Sequence, residues 1–153
     1  MKYLLLITLL LNVSACQNEK EATDFNKIAE ETKDMLIAFH DSVNTSGLMA
    51  EFDFLDSTEA FYWTPPGYSY AIAYDSIRSI LIQSANDLHK VHFEWDTLDI
   101  HPLSNDYCNY TGVVHCVMWS DDTSKQEFKV LESGTLVKRN DGWKFLSGQS
   151  RVQ

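Results

Sequence analysis

The chain has 153 residues, 44% of them apolar and 12% aromatic, which is enough for one ordered core and too apolar for a disordered chain. Twelve basic residues stand against 22 acidic ones, a formal charge of −10. Such a surface repels nucleic acid and anionic headgroups, so a nucleic-acid partner is set aside.

At the N-terminus, Lys2 precedes Leu4–Leu11, a run that is apolar except for Thr8. A bilayer span takes about 20 helical residues; this shorter run has the length of a signal-peptide core. Val13-Ser14-Ala15-Cys16 follows and resembles the bacterial lipobox. That resemblance implies cleavage before Cys16, acylation of Cys16 and attachment to a membrane through it, several acyl chains holding far better than one. The alternative is an ordinary signal peptide followed by a chance cysteine. Gln17, not being Asp, implies no inner-membrane retention. The expected address is therefore the cell envelope, at the outer membrane rather than the inner, with the domain outside the cytoplasm. Removing 1–15 takes away Lys2 and no acid, leaving 11 basic residues (12 − 1) against 22 acidic ones, or −11. The division is thus 1–15 signal peptide, 16–22 lipidated cysteine and polar tether, and 23–153 a single domain.

Thr23 or Asp24 can cap a helix whose apolar positions Phe25, Ile28, Ala29, Met35, Leu36, Phe39 and Val43 form one stripe. Asn44–Gly47 supplies its stop. Leu48–Leu55 reads as a further helical turn or two, and Ala60–Thr64 as a short strand ended by Pro65-Pro66-Gly67. A second long helix is predicted from Asp75, placed as N-cap, to Leu88; Ile77, Ile80, Leu81, Ser84 and Leu88 share one face.

Four strands follow, at Val91–His101, Tyr107–Trp119, Gln126–Lys138 and Trp143–Val152, separated by short breaks rich in Ser, Asn, Asp and Gly. Short connections force neighbouring strands to pair antiparallel. In the first of them Val91, Phe93 and Trp95 alternate, then the apolar phase moves to Leu98 and Ile100, the mark of a β-bulge that bends the sheet. Helices segregated from an antiparallel meander make the fold class α+β: a cone-shaped half-barrel closed from one side by the helices. Cys108 and Cys116 are eight residues apart on one strand, roughly 26 Å, too far for a disulfide. A turn at Asn109–Gly112 would be needed to bring them together.

Phe54-Leu55-Asp56, Tyr62-Trp63-Thr64-Pro65-Pro66-Gly67 and the Asp141-Gly142-Trp143-Lys144 turn within Lys138–Leu146, in that order and spacing, resemble the nuclear transport factor 2-like (NTF2-like), or SnoaL-like, superfamily. The resemblance covers residues 25–152. It implies a cone with a pocket at its wide end and, in many members, a homodimer formed through the sheet. Members include isomerases, dehydratases, cyclases and non-catalytic binding domains, so the fold does not settle function. Many members carry two histidines on the last strand at positions that are Ser147 and Gln149 here, which do not titrate near neutrality. Gly134 stands where some members carry a pocket arginine, which implies a wider, uncharged cavity. No match to the Tyr plus two Asp set of the ketosteroid isomerases is present.

If Trp143 faces inward, Phe145, Ser147 and Gln149 follow by alternation, and Phe128, Val130 and Leu136 bring Glu132 and Gly134 to the same side. A carboxyl on that apolar row is the best candidate for a general base; the alternative is a strand-end Glu132 paired with Arg151. His115 shares its phase with Val113, Val117 and Trp119, either as a proton donor in the pocket or on the outer sheet face in a dimer contact. Tyr62, Trp63 and Trp95 offer aromatic surface to a planar or apolar ligand, or simply pack the core. His89, His92, Glu94 and Asp96 have metal-ligand chemistry, but alternate strand residues lie about 6–7 Å apart and cannot converge on one ion. No metal and no cofactor are expected. The expected activity is binding of a small, largely apolar molecule or a protein partner. Isomerase or dehydratase chemistry with Glu132 as base is the alternative, and a dimeric scaffold without a ligand the second alternative.

Overall fold

A computed structural model describes residues 23–153. The expectations for 1–22, namely the signal peptide, lipidated Cys16 and tether, lie outside them. The Asp24 carboxylate accepts the Lys27 backbone N–H at 3.1 Å and starts helix α1, Phe25–Ser46. Gly47, at φ 82°, ends it by donating its N–H to the Val43 carbonyl. The apolar stripe of α1 is buried at Ile28, Leu36, Phe39 and Val43. At its far end the Asn44 side chain replaces a strand neighbour, accepting the Phe93 N–H at 2.7 Å and donating to the Phe93 carbonyl at 2.9 Å.

A short 3-10 helix, Leu48–Asp53, leads to strand β1, Tyr62–Thr64. A two-residue strand β2, Ile72–Ala73, pairs back on β1 and runs directly into helix α2, Tyr74–Asp87. The N-cap of α2 is therefore Ala73 and not Asp75, which sits in the first turn, where its charge still complements the helix dipole. The long strands are β3 (Lys90–Pro102), β4 (Tyr107–Trp119), β5 (Lys125–Arg139) and β6 (Gly142–Val152). They form one six-stranded sheet in the order β2-β1-β6-β5-β4-β3; every pairing is antiparallel except β1 on β6. This is the expected α+β cone. Among the described residues, no helix is long and apolar enough to cross a membrane.

Two bulges set the curvature. The first, between Trp95 and Thr97, lies where the apolar phase of β3 shifts. The second, between Phe145 and Ser147 on β6, makes Leu146 the extra residue. It reverses the phase of the strand, so Trp143 and Phe145 face the core but Gly148, Ser150 and Val152 continue that face. Cys108 and Cys116 remain thiols on the uninterrupted β4.

The core runs from α1 to the inner sheet face, with Leu36, Val43, Tyr110, Leu136 and Phe145 among its most buried members. Phe145 meets Phe39 and Tyr110 edge to face at centroid separations of 4.9 and 5.7 Å. Below it, Asp56 is only 4% exposed and is held by Arg139, whose guanidinium reaches both carboxylate oxygens at 2.6 and 3.3 Å, and by the Thr58 hydroxyl. Burial alone would raise this carboxyl; the Arg139 and Thr58 hydrogen bonds outweigh it and hold Asp56 below its ordinary range.

Candidate functional site

Between α2 and the inner sheet face the core is hollow, with a cavity of about 340 Å³. The stripe Ile77, Ile80, Leu81, Ser84 and Leu88 of α2 lines it from one side. Phe93, Val114, Cys116, Met118, Phe128 and Val130 line it from the sheet, and Trp63, Pro65 and Pro66 close the end beside β1. Alternation puts these side chains on one face, and the bends at Asp96 and Leu146 lift that face into a bowl too deep for α2 to fill.

Four titratable side chains lie on the otherwise apolar wall. Glu132 faces inward from β5; its Oε1 accepts the Tyr110 hydroxyl at 2.7 Å and its Oε2 the Ser150 hydroxyl at 3.2 Å. Ser150 in turn accepts the Trp63 indole N–H at 3.0 Å. All donors in this chain point toward Glu132, an arrangement that stabilises its ionised form. Burial raises its pKa, and the Tyr110 and Ser150 hydroxyls partly offset that rise. The Tyr110 phenol is driven well above its usual value by burial and by the Glu132 charge.

Glu51, from the 3-10 helix, lines the same cavity. It is half-buried, and burial, followed by the charge on Glu132, lifts its pKa to about 8. At neutral pH it is a carboxylic acid. The two carboxyls thus differ: hydroxyl donors favour the ionised form of Glu132, while burial and the charge on Glu132 favour the protonated form of Glu51. His40, 5% exposed, stacks on Trp95 at 4.6 Å and leaves Nδ1 as the buried side-chain nitrogen without a hydrogen-bond partner among the described residues. Burial, with a smaller contribution from His92, lowers its pKa to about 4 and keeps it neutral. Cys116 is a thiol pushed up to about 12 by burial and the two glutamates, too protonated to act as a nucleophile.

Of the residues singled out from the sequence, the structure brings only Trp63 and Glu132 to this cavity. Glu132 is not at a strand end and forms no ion pair with Arg151; its hydrogen-bond partners are hydroxyls. Because β6 reverses phase at Leu146, Ser147 and Gln149 lie on the opposite sheet face. Tyr62, paired in register with Ser147, lies there too, in a shallow polar depression with Thr64, Asn109 and Thr135. Trp95 lies behind His40, donating its indole N–H to the Leu36 carbonyl at 3.3 Å, and is core. His115 is on the outer face, 3.0 Å from Glu127. Gly134 does not enlarge the cavity: a Cβ there would fall 2.5 Å from the Ser147 carbonyl oxygen and 3.1 Å from the Tyr110 ring. His89, His92 and Asp96 turn to separate partners, Asp122, Glu94 and Lys129, and no metal-binding group forms among the described residues.

Glu51 and His40 were not singled out, although both carry a signal. Leu48, Glu51 and Leu55 share a helical face by their spacing of three and four, and His40 falls inside the α1 stripe between Leu36 and Val43.

No protein-family model matches the sequence, and no curated protein does. Solved structures do. A protein assigned as a scytalone dehydratase from Novosphingobium aromaticivorans superposes with a TM-score of 0.71 at 12% identity, covering 84% of this chain and 85% of its own. A protein assigned as a dehydratase of the NTF2-like family from Streptomyces avermitilis gives 0.70 at 11% identity, covering 84% and 97%. A ketosteroid isomerase-like protein from Erwinia carotovora gives 0.65 at 14%, covering 84% and 98%. With its six-stranded open cone, its helices on the inner face and these neighbours, the domain at 23–153 has the NTF2-like fold.

Proposed function

We propose that the protein is held to the cell envelope by a lipidated Cys16 and that its NTF2-like domain receives a small, largely apolar molecule in the cavity. The observation that supports this is the cavity itself: about 340 Å³, walled by aliphatic and aromatic side chains, with a few polar groups converging on it. Glu132 and Glu51 orient the polar end of the molecule, and Trp63 supplies a flat apolar surface. The test is uptake of the neutral fluorescent probe N-phenyl-1-naphthylamine. The wild-type domain should enhance its emission, and Leu81→Trp, which fills the hollow, should abolish the enhancement without lowering the melting temperature. Unaltered uptake by Leu81→Trp would place the probe elsewhere.

The division between an ionised Glu132 and a protonated Glu51 favours a second reading, proton-transfer catalysis of the isomerase or dehydratase kind. Glu132 removes a proton and Glu51 returns one. Here Glu132→Gln should retain probe uptake and fold stability while eliminating turnover of any substrate the wild type converts. Conversion persisting in Glu132→Gln would remove Glu132 from the reaction.

A further inference from the structure

We infer that the molecule held in this cavity is a cation: an apolar body bearing an ammonium or quaternary ammonium group that pairs with Glu132 among the aromatic side chains. This rests on the ligand-binding reading and specifies the chemistry of its occupant. The cavity wall contains no lysine or arginine. Every ion pair among the described residues uses carboxylates other than Glu132 and Glu51. Glu132 is nevertheless arranged as a carboxylate, with hydroxyl donors on both oxygens and a third donor, Trp63, behind one of them.

Hydroxyls stabilise such a charge but do not neutralise it. A neutral apolar occupant leaves the Glu132 charge uncompensated and is therefore held less tightly than a cation of the same shape. An anion would add repulsion. A cation supplies the missing charge and finds aromatic side chains on the wall at Phe93, Phe128 and Trp63. The one basic side chain that lines the cavity is His40 of α1, 5% exposed, its Nδ1 buried and without a hydrogen-bond partner among the described residues. Its neutral ring adds no positive charge to oppose a cation.

The experiment is displacement of N-phenyl-1-naphthylamine from the whole domain at pH 7.5 by three compounds. These are benzyltrimethylammonium, its neutral isostere neopentylbenzene, in which carbon replaces the charged nitrogen, and phenylacetate. The cation should displace the probe at about tenfold lower concentration than the isostere, and phenylacetate should not displace it. In Glu132→Gln the advantage of the cation should shrink to near parity. An isostere that competes as well as the cation overturns the inference and leaves the ligand-binding reading standing. An undiminished preference in Glu132→Gln overturns the pairing with Glu132. Failure of the wild type to take up the probe at all removes both. The comparison of cation with isostere on wild-type protein does not depend on any variant folding.

Discussion

The Tyr110 hydroxyl lies 2.7 Å from Glu132 Oε1, joining the most buried aromatic ring of β4 to the carboxyl that faces the cavity from β5. The contact fixes the rotamer of Glu132 and lowers the free energy of its charged form. Tyr110→Phe keeps the ring and its packing on Phe145 but removes the donor. The variant should lose about 1–2 kcal/mol of stability at pH 8, where the carboxylate is left with Ser150 alone, and less at pH 5. Chemical denaturation at the two pH values checks it; an equal loss at both would show that only packing was affected.

Glu51 gives stability a negative slope with pH. Its folded pKa is about 8 against an ordinary 4.5, so between those values the folded chain binds more protons than the unfolded one. Stability present below pH 4.5 is therefore lost as pH rises toward 8. Glu51→Gln should match the wild type near pH 4 and exceed it at pH 8 by on the order of 2 kcal/mol. Parallel stability curves for the two proteins would contradict the burial of this carboxyl.

His40 acts in the opposite sense. The unfolded chain protonates it below 6.5, whereas the folded chain resists down to about 4. The unfolded state binds the extra proton in that window, so stability present above pH 6.5 is lost as pH falls toward 4. His40→Phe preserves a ring against Trp95 and should gain about 2 kcal/mol over the wild type at pH 5 while differing little in slope above pH 7. Its acid-side slope, read from melting temperatures, is the measurement. Between pH 4.5 and 6.5 the His40 and Glu51 effects oppose each other, so the double variant should show the flattest profile.

The Asp56–Arg139 pair is structural and lies away from the cavity wall. Arg139→Met leaves a buried carboxylate whose remaining side-chain donor is Thr58, and should destabilise the fold by about 3 kcal/mol. Probe uptake at a temperature where the variant is folded should be unchanged. Loss of uptake by the folded variant would show that the Asp56 loop shapes the cavity.

Much of the fold was legible because the four long strands carry extended alternating or apolar runs between strong turn signals, and their boundaries fall within two residues of those read from the sequence. The bend in β3 was legible for the same reason: Trp95 and Leu98 break the alternation visibly. The bend in β6 was not. From Trp143 through Phe145 to Ser147 and Gln149 the pattern continues in phase, and the small residues Ser147, Gly148 and Ser150 suit either face. What reverses the strand there is tertiary. A Cβ on Gly148 would fall 2.5 Å from the Trp63 ring, so that ring packs against bare backbone, a contact no local pattern announces. That reversal moved Ser147, Gln149 and Tyr62 away from the site and brought in Ser150. Glu51 was hidden differently, as an acidic residue inside the short, mostly apolar segment Leu48–Leu55, where nothing local separates an inward carboxyl from a solvated one.

Helix α2 forms one wall of the cavity. Only Ile77 along it is buried, and it leans chiefly on the 3-10 segment and the β1–β2 hairpin instead of the long strands. Its amides should therefore exchange with deuterium sooner than those of α1 and slow markedly when the hollow is occupied. The guest, once inside, would complete the packing of its own roof, so that affinity and the order of this one helix rise and fall together.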